Sequence, residues 1–318
     1  MLTYILLVLG FVFLVKGADL LVDGASSLAK KLKISDLVIG LTIVAFGTSA
    51  PELVINIISS FNGTVDMALG NIIGSNISNI LLIGGVAAMI YPIKVQHGTV
   101  WKQIPLSMIA ALLLLLLAND FLIDRIGMSM IDRIDGVILI SFFLIFLYYT
   151  FGLSKVEGKE NEDYEIYGWE TSLIYITLGI IGLTVGGKWI IDSATTIATI
   201  FGLSDALIGL TILAIGTSLP ELATAAVAAF RKNADLAIGN IVGSNIFNIF
   251  LVVGVSAVIK PLQFNTMLNT DILICIGATL MLYWFILTGR KERHIEKWEG
   301  VALFCFYLIY IIFLIWRG

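Results

Sequence analysis

Two glutamates stand where an apolar sequence should exclude them. Glu52 and Glu221 each fall inside a hydrophobic run long enough to cross a membrane. A charged side chain at the centre of a bilayer costs about 2.5–3.5 kcal/mol even on lenient insertion scales. Oxygen-bearing side chains recur around each at helical spacing. Thr48 and Ser49 lie one turn before Glu52, and Thr217 and Ser218 one turn before Glu221, so each trio shares a helix face. In the next apolar run of each half, Ser75 sits one turn before Asn79, and Ser244 one turn before Asn248. The set comprises hydroxyl, amide carbonyl and carboxylate oxygens, with no thiolate or imidazole. Such hard donors suit calcium or sodium and disfavour zinc or copper. A pair of glutamates bonded to one another to hold helices together is the plainer reading, and the density of oxygen donors argues against it.

Backbone oxygens extend the donor set. Pro51 and Pro220 cannot donate to the carbonyls four residues back, at Gly47 and Gly216. Carbonyls near Ala45 and Ala214 are then free to turn towards an ion. Broken helices at membrane depth are tolerated where they line a cavity or are buried in protein. Gly70-x-x-x-Gly74 and Gly239-x-x-x-Gly243 are read as close-packing stripes, which bring Ser75, Asn79 and their counterparts within reach of the glutamates.

The elements that must position these groups are membrane helices. Of the 318 residues 58% are apolar and 13% charged, with a mean hydropathy of +0.99. A soluble domain carries roughly a quarter charged residues, so a soluble fold is excluded. Ten apolar segments are predicted to span, at about 2–24, 37–60, 67–91, 102–119, 134–153, 170–198, 206–230, 236–261, 267–288 and 298–316. The apolar stretch opening at Met1 lacks a basic leader and has a counterpart later in the chain, so it is read as a retained helix rather than a signal peptide. A net charge of −4 without a basic cluster excludes a nucleic-acid partner. Cys275 and Cys305 are read as inert thiols in apolar runs, and His97 and His294 as solvated loop residues.

An internal repeat orders the ten segments. SDLVIGLTIVAFGTSAPEL at 35–53 and SDALIGLTILAIGTSLPEL at 204–222 share 14 of 19 positions at an offset of 204 − 35 = 169. GNIIGSNISN at 70–79 and GNIVGSNIFN at 239–248 share 8 of 10 at the same offset. Gly17, Asp23, Ala25 and Ala29 align more faintly with Gly186, Asp192, Ala194 and Ala198. The fold expected is therefore an all-α integral membrane protein of ten transmembrane helices, arranged as two five-helix repeats. Residues 1–153 form the first repeat, 154–169 a polar linker loop, and 170–318 the second. An odd number of helices per repeat inverts the second half, as in many secondary transporters, whose sites lie near the midplane between the repeats.

Basic residues set the expected orientation. With both termini outside, the cytoplasmic loops hold Lys30, Lys31, Lys33, Lys94, Lys102, Lys155, Lys159, Arg231, Lys232, Arg290, Lys291, Arg293 and Lys297. The outer face then holds Arg125, Arg133, Lys260 and Arg317. The localisation expected is a multi-pass protein of the cell membrane with its N- and C-termini outside. The acidic run at 157–165 is read as a solvated linker, without the spacing of an EF-hand.

The paired GTS-x-PEL and GN-x-x-GSN-x-x-N motifs, each present twice and in order, resemble those of the sodium/calcium exchanger family within the cation/calcium antiporter superfamily. The resemblance implies a secondary active transporter, not an enzyme. It would exchange Na⁺ for Ca²⁺ by alternating access, with the first and sixth helices as movers and no cofactor. It implies that Glu52 and Glu221 bind calcium. Thr48, Ser49, Thr217, Ser218, Ser75 and Ser244 would join them in lining the sodium and calcium sites. The carbonyls of Ala45 and Ala214 would coordinate sodium, and Asn79 and Asn248 would complete the centre. Three sodium ions per calcium, and so an electrogenic cycle, are implied too. Some prokaryotic relatives carry Asp where this chain has Asn248, which leaves two central carboxylates here. The proton-coupled branch usually has an acid late in the second motif, and its absence favours sodium over the alternative of H⁺/Ca²⁺ (or other divalent cation) antiport. The lipid bilayer is the expected surrounding, and nothing in the sequence requires more than a monomer. A channel and an intramembrane aspartyl protease are the rival classes, the second disfavoured because Glu in Thr- and Ser-rich settings does not match paired catalytic Asp.

Overall fold

The computed structural model describes residues 2–62, 65–119, 129–153, 166–201, 214–289 and 293–317. Ten apolar helices appear among them: α1 (Leu2–Leu32), α2 (Asp36–Phe61), α3 (Ala68–Ile90), α4 (Thr99–Leu117), α5 (Arg133–Gly152), α6 (Trp169–Ile200), α7 (Leu219–Phe230), α8 (Ala234–Ile259), α9 (Leu268–Thr288) and α10 (Lys297–Arg317). Nine are long and apolar enough to cross a membrane, and α7 is shorter. In lipid the backbone must satisfy its own polar groups, which is why long apolar runs fold as helices. Two antiparallel two-residue ladders join the loops: β1 (Ile93–Lys94) pairs with β4 (His294–Ile295), and β2 (Met130–Ile131) with β3 (Leu262–Gln263). His294, expected in a loop, is a ladder residue.

Burial sorts the helices. The most apolar windows of α3 and α8 are 83% buried, against 33% for α1 and α10. The two segments carrying the second motif therefore form the axis, and the outer helices present Val8, Phe11, Val12, Ile309 and Ile312 to their surroundings. α1 runs to Leu32 rather than ending near residue 24. Its small polar stretch stays helical because it is buried against α6, where the Ser27 and Ser172 hydroxyls are 2.9 Å apart. A helix of 31 residues is about 46 Å long at 1.5 Å per residue, which exceeds a hydrocarbon core of about 30 Å and requires tilt or overhang.

Glycine makes the closest crossings. A Cβ on Gly17 would lie 2.7 Å from the Leu183 amide nitrogen, and one on Gly186 would lie 2.7 Å from the Gly10 carbonyl oxygen. Contacts descend α6 as they ascend α1, so the two helices are antiparallel. On α8, a Cβ on Gly239 would meet the Leu37 carbonyl at 2.8 Å, and one on Gly243 the Ala45 Cβ at 2.8 Å. Numbers rise together here, so α2 and α8 are parallel and Gly239-x-x-x-Gly243 is a packing stripe. The 204–213 segment, which would face Gly70 and Gly74 by the repeat, lies outside the described residues. Gly85 of α3 packs on Gly300 of α10, and Gly254 of α8 on Gly136 of α5. α10 thus lies on α3 and α5 on α8, so helices from the two ends of the chain interlock. Of the expected linker, 154–165 lies outside the described residues and Trp169 already opens α6.

Candidate cation site

The site is built where α2, α3, α7 and α8 meet. Thr48, Ser49 and Glu52 share the inner face of α2, all at most 2% exposed. The helix carries on through Pro51 without a break. The second half differs. A turn at Ala214–Thr217 ends at Ser218 (φ −88°, ψ 4°), and α7 starts at Leu219 with Pro220 in its first turn, where no N–H is required. Glu221 consequently lies in the first turn of a helix, near its positive end, whereas Glu52 lies mid-helix. The expected backbone break appears in one repeat only.

On α3 and α8 the helix widens by one residue per turn at Asn79–Ile83 and Phe247–Val253. Wide turns of this kind are rare and cluster at functional positions. They begin at or beside Asn79 and Asn248, both 1% exposed. A third at Gly40–Val44 leads into Ala45.

Contacts bring the expected residues together across the halves. Ser49 of the first repeat donates to Glu221 Oε1 of the second at 3.1 Å. Ser218 of the second donates to Ser75 Oγ of the first at 3.4 Å. Thr48 Oγ1 donates at 3.3 Å to the Ala45 carbonyl and at 3.2 Å to Asn240 Oδ1, with the Ser244 hydroxyl 3.5 Å away. Thr217 Oγ1 donates to Asn71 Oδ1 at 3.0 Å. Ala214 opens the short turn before Ser218, and its carbonyl carries no described role.

At this meeting point five buried acceptor atoms have no protein donor among the described residues: both oxygens of Glu52, Glu221 Oε2, Asn79 Oδ1 and Asn248 Oδ1. Buried acceptors are satisfied in nearly all folded proteins, so five on the residues singled out by their chemistry ask for a donor or a cation from outside. Among the described residues neither glutamate forms an ion pair. No group of three His, Cys, Asp or Glu gathers among them either, so neutral oxygens must supplement the two carboxylates.

Four further asparagines belong to the site and escaped the sequence reading: Asn71, Asn76, Asn240 and Asn245. Asn240 Nδ2 donates to the Glu221 carbonyl at 3.3 Å, and the other contacts of Asn71 and Asn240 mirror one another at the repeat offset. The signal was present, since all four are amides kept in both copies of the repeated GN-x-x-GSN-x-x-N stretch.

A sequence profile of the family described as sodium/calcium exchanger protein matches residues 2–152 and 171–316. A protein of Alkalimonas amylolytica, provisionally named antiporter CaxA, is 38% identical over 316 residues, 96% of each chain. The sodium/calcium exchanger MaX1 of Methanosarcina acetivorans is 32% identical over 348 aligned positions, 98% of each chain. Among solved structures, the sodium-calcium exchanger NCX_Mj soaked with 10 mM Na⁺ and zero Ca²⁺ superposes with a TM-score of 0.84 at 32% identity, covering 98% of both chains.

Proposed function

The chain belongs to the sodium/calcium exchanger protein family, and from that premise we propose that it carries Ca²⁺ and Na⁺ in opposite directions through one centre held by Glu52 and Glu221. It is a multi-pass membrane transporter of the cation/Ca²⁺ antiport type, with the ions as its substrates. The observation that carries the reading of one shared cation centre is the cluster of five buried oxygens on Glu52, Glu221, Asn79 and Asn248 without a partner among the described residues. Two carboxylates balance one Ca²⁺, and the neutral oxygens replace the ion's water shell. Thr48, Ser49, Thr217, Ser218, Ser75 and Ser244 are the flanking donors, with the carbonyls of Ala45 and Ala214 as sodium ligands.

Ten crossings in two inverted repeats are favoured by a parity argument. β1 and β4 must lie on one side of the membrane to pair. Between them run α4, α5, α6, α8 and α9, an odd number unless α7 with the segment before it also crosses. The β2–β3 ladder and the Gln96–Asp235 hydrogen bond of 2.6 Å impose the same condition. The excess of basic residues then puts the β1–β4 side in the cytoplasm and both termini outside.

Alternating access follows from how the helices are divided. α1 and α6 pack on each other along a glycine seam and lie outside the interlocked α3, α5, α8 and α10, so they can move as a pair while the centre stays fixed. With three Na⁺ replacing one Ca²⁺, the loaded site alternates between neutral and about +1, and the cycle is electrogenic.

Calcium-45 uptake into proteoliposomes with the driving ion varied tests the reading. Uptake is expected with sodium inside and none outside, and it should persist when a protonophore collapses any pH gradient. Uptake driven by a pH gradient without sodium would assign H⁺/Ca²⁺ antiport instead.

A further inference from the structure

Where α3 and α8 cross, Asn76 and Asn245 stand at repeat-equivalent positions (245 − 76 = 169) and bond to one another twice. Asn76 Nδ2 donates to the Asn245 backbone carbonyl at 3.3 Å, and Asn245 Nδ2 to the Asn76 carbonyl at 3.4 Å. Each amide has a donor end and an acceptor end, and these two bonds use the donor ends. The acceptor ends turn to the other half. Asn79 Nδ2 donates to Asn245 Oδ1 at 2.9 Å, and Asn248 Nδ2 donates to Asn76 Oδ1 at 3.0 Å. All four asparagines are at most 2% exposed, so water does not compete for these groups.

The consequence falls on Asn79 and Asn248. With their nitrogens held, neither amide can turn over without breaking a buried bond, and their oxygens are the ends left without a partner. We propose that Asn76 and Asn245 are positioning residues that act crosswise, Asn76 on Asn248 and Asn245 on Asn79, to keep the centre lined by acceptors alone. A freed amide would spend part of its time with its NH₂ towards the centre, and a donor there repels a cation. The crossed pair thereby selects for bare cations over ligands that need a donor. It also ties each half's contribution to the site to the opposite half, so the ion sees one rigid centre whichever side is open. The inference rests on the calcium reading of the centre given above.

Double-mutant cycles on Ca²⁺ affinity, measured by calorimetry on the purified full-length protein, test it, with thermal stability recorded in parallel. Asn76→Ala and Asn245→Ala should each weaken Ca²⁺ binding by roughly two- to tenfold, the range set by losing one buried hydrogen bond. The Asn76→Ala effect should vanish in an Asn248→Ala background and persist in an Asn79→Ala background, with the reverse for Asn245→Ala. A pair that only fastens α3 to α8 would lower the melting temperature and give additive affinities in both backgrounds, which would overturn the proposal. If the alanine variants do not fold, Asn76→Asp serves. It keeps an oxygen facing Asn248, loses the donor to the Asn245 carbonyl and, when ionised, adds a negative charge, so affinity should be at least that of the unsubstituted protein. Weakened binding in Asn76→Asp would count against the positioning role. Failure of the unsubstituted protein to bind Ca²⁺ would overturn the calcium reading and this inference together, whereas binding with additive cycles would overturn the positioning role alone.

Discussion

Replacing Glu221 with glutamine removes one of two charges from a centre with no compensating cation among the described residues. Both carboxylates are at most 2% exposed, so solvent screens them little. Two unit charges about 4 Å apart at an effective dielectric constant of about 20 interact by about 4 kcal/mol, and a divalent ion doubles that to about 8. Calcium sits at roughly 2.3–2.6 Å from its oxygens, so the 4 Å separation does not exaggerate. The glutamine oxygen still coordinates. If it recovers half of the interaction, the loss is about 4 kcal/mol for Ca²⁺ and about 2 kcal/mol for Na⁺, or roughly a thousandfold against thirtyfold in affinity. Calorimetry with each ion on purified Glu221→Gln and Glu52→Gln gives both numbers. The cation-free variants should also melt higher than the unsubstituted protein, because a buried like-charge repulsion is gone. Calcium affinity reduced less than tenfold, or equal losses for the two ions, would refute the assignment of the two charges to one site.

Three further outcomes are expected. Arg231, just past α7, bonds Asp23 and, at 2.8 Å, Asp19, tying α1 to the static helices on the proposed cytoplasmic side. Its repeat counterpart is Asn62, and that of Asp19 is Lys188 (19 + 169), so the clamp is not repeated in the other half. Partly exposed pairs are worth about 1 kcal/mol each at most, and Arg231→Ala should raise cytoplasmic labelling of a cysteine near Gly17 several-fold. Cys305→Ser is the background for that assay because Cys305 is exposed and Cys275 buried, and unchanged labelling would oppose movement of α1. Gly17→Ala places a Cβ 2.7 Å from the Leu183 nitrogen and should lower stability by about 1–3 kcal/mol. Gly277→Ala, with nothing within 4 Å, should be neutral or gain up to about 1 kcal/mol; equal melting shifts would contradict the α1–α6 seam. A potassium–valinomycin potential, negative inside, should favour sodium influx and calcium extrusion by about 2.3 kcal/mol per 100 mV for one charge per cycle, and flux indifferent to it would mean electroneutral exchange.

Much of this was legible in the sequence because membrane helices and their exceptions are written in composition. Glu52 and Glu221 are conspicuous only against apolar neighbours, and the offset of 169 identified their partners before any coordinate did. What was not legible depends on packing. The extension of α1 to Leu32 follows from burial of a polar stretch that hydropathy reads as an exit from the membrane. Pro51 and Pro220 share a motif, yet the helix breaks at Ser218 and not at Ser49, so identical local signals resolve differently in different surroundings. The wide turns at Asn79 and Phe247 carry no residue signature, since they trade one hydrogen-bond register for another. Asn76 and Asn245 were visible as repeated amides, but their crossed bonding emerges only where α3 meets α8.

Locating the bound ion tests the central claim most directly. Crystals of the protein soaked in Ca²⁺, with Sr²⁺ as a stronger anomalous scatterer, should show one site ligated by Glu52 and Glu221, with calcium–oxygen distances of about 2.3–2.6 Å. The same density should vanish in Glu52→Gln crystals soaked identically. Density confined to the acidic stretch at 157–165, or a site that survives Glu52→Gln unchanged, would contradict the claim that these two glutamates carry calcium through the protein.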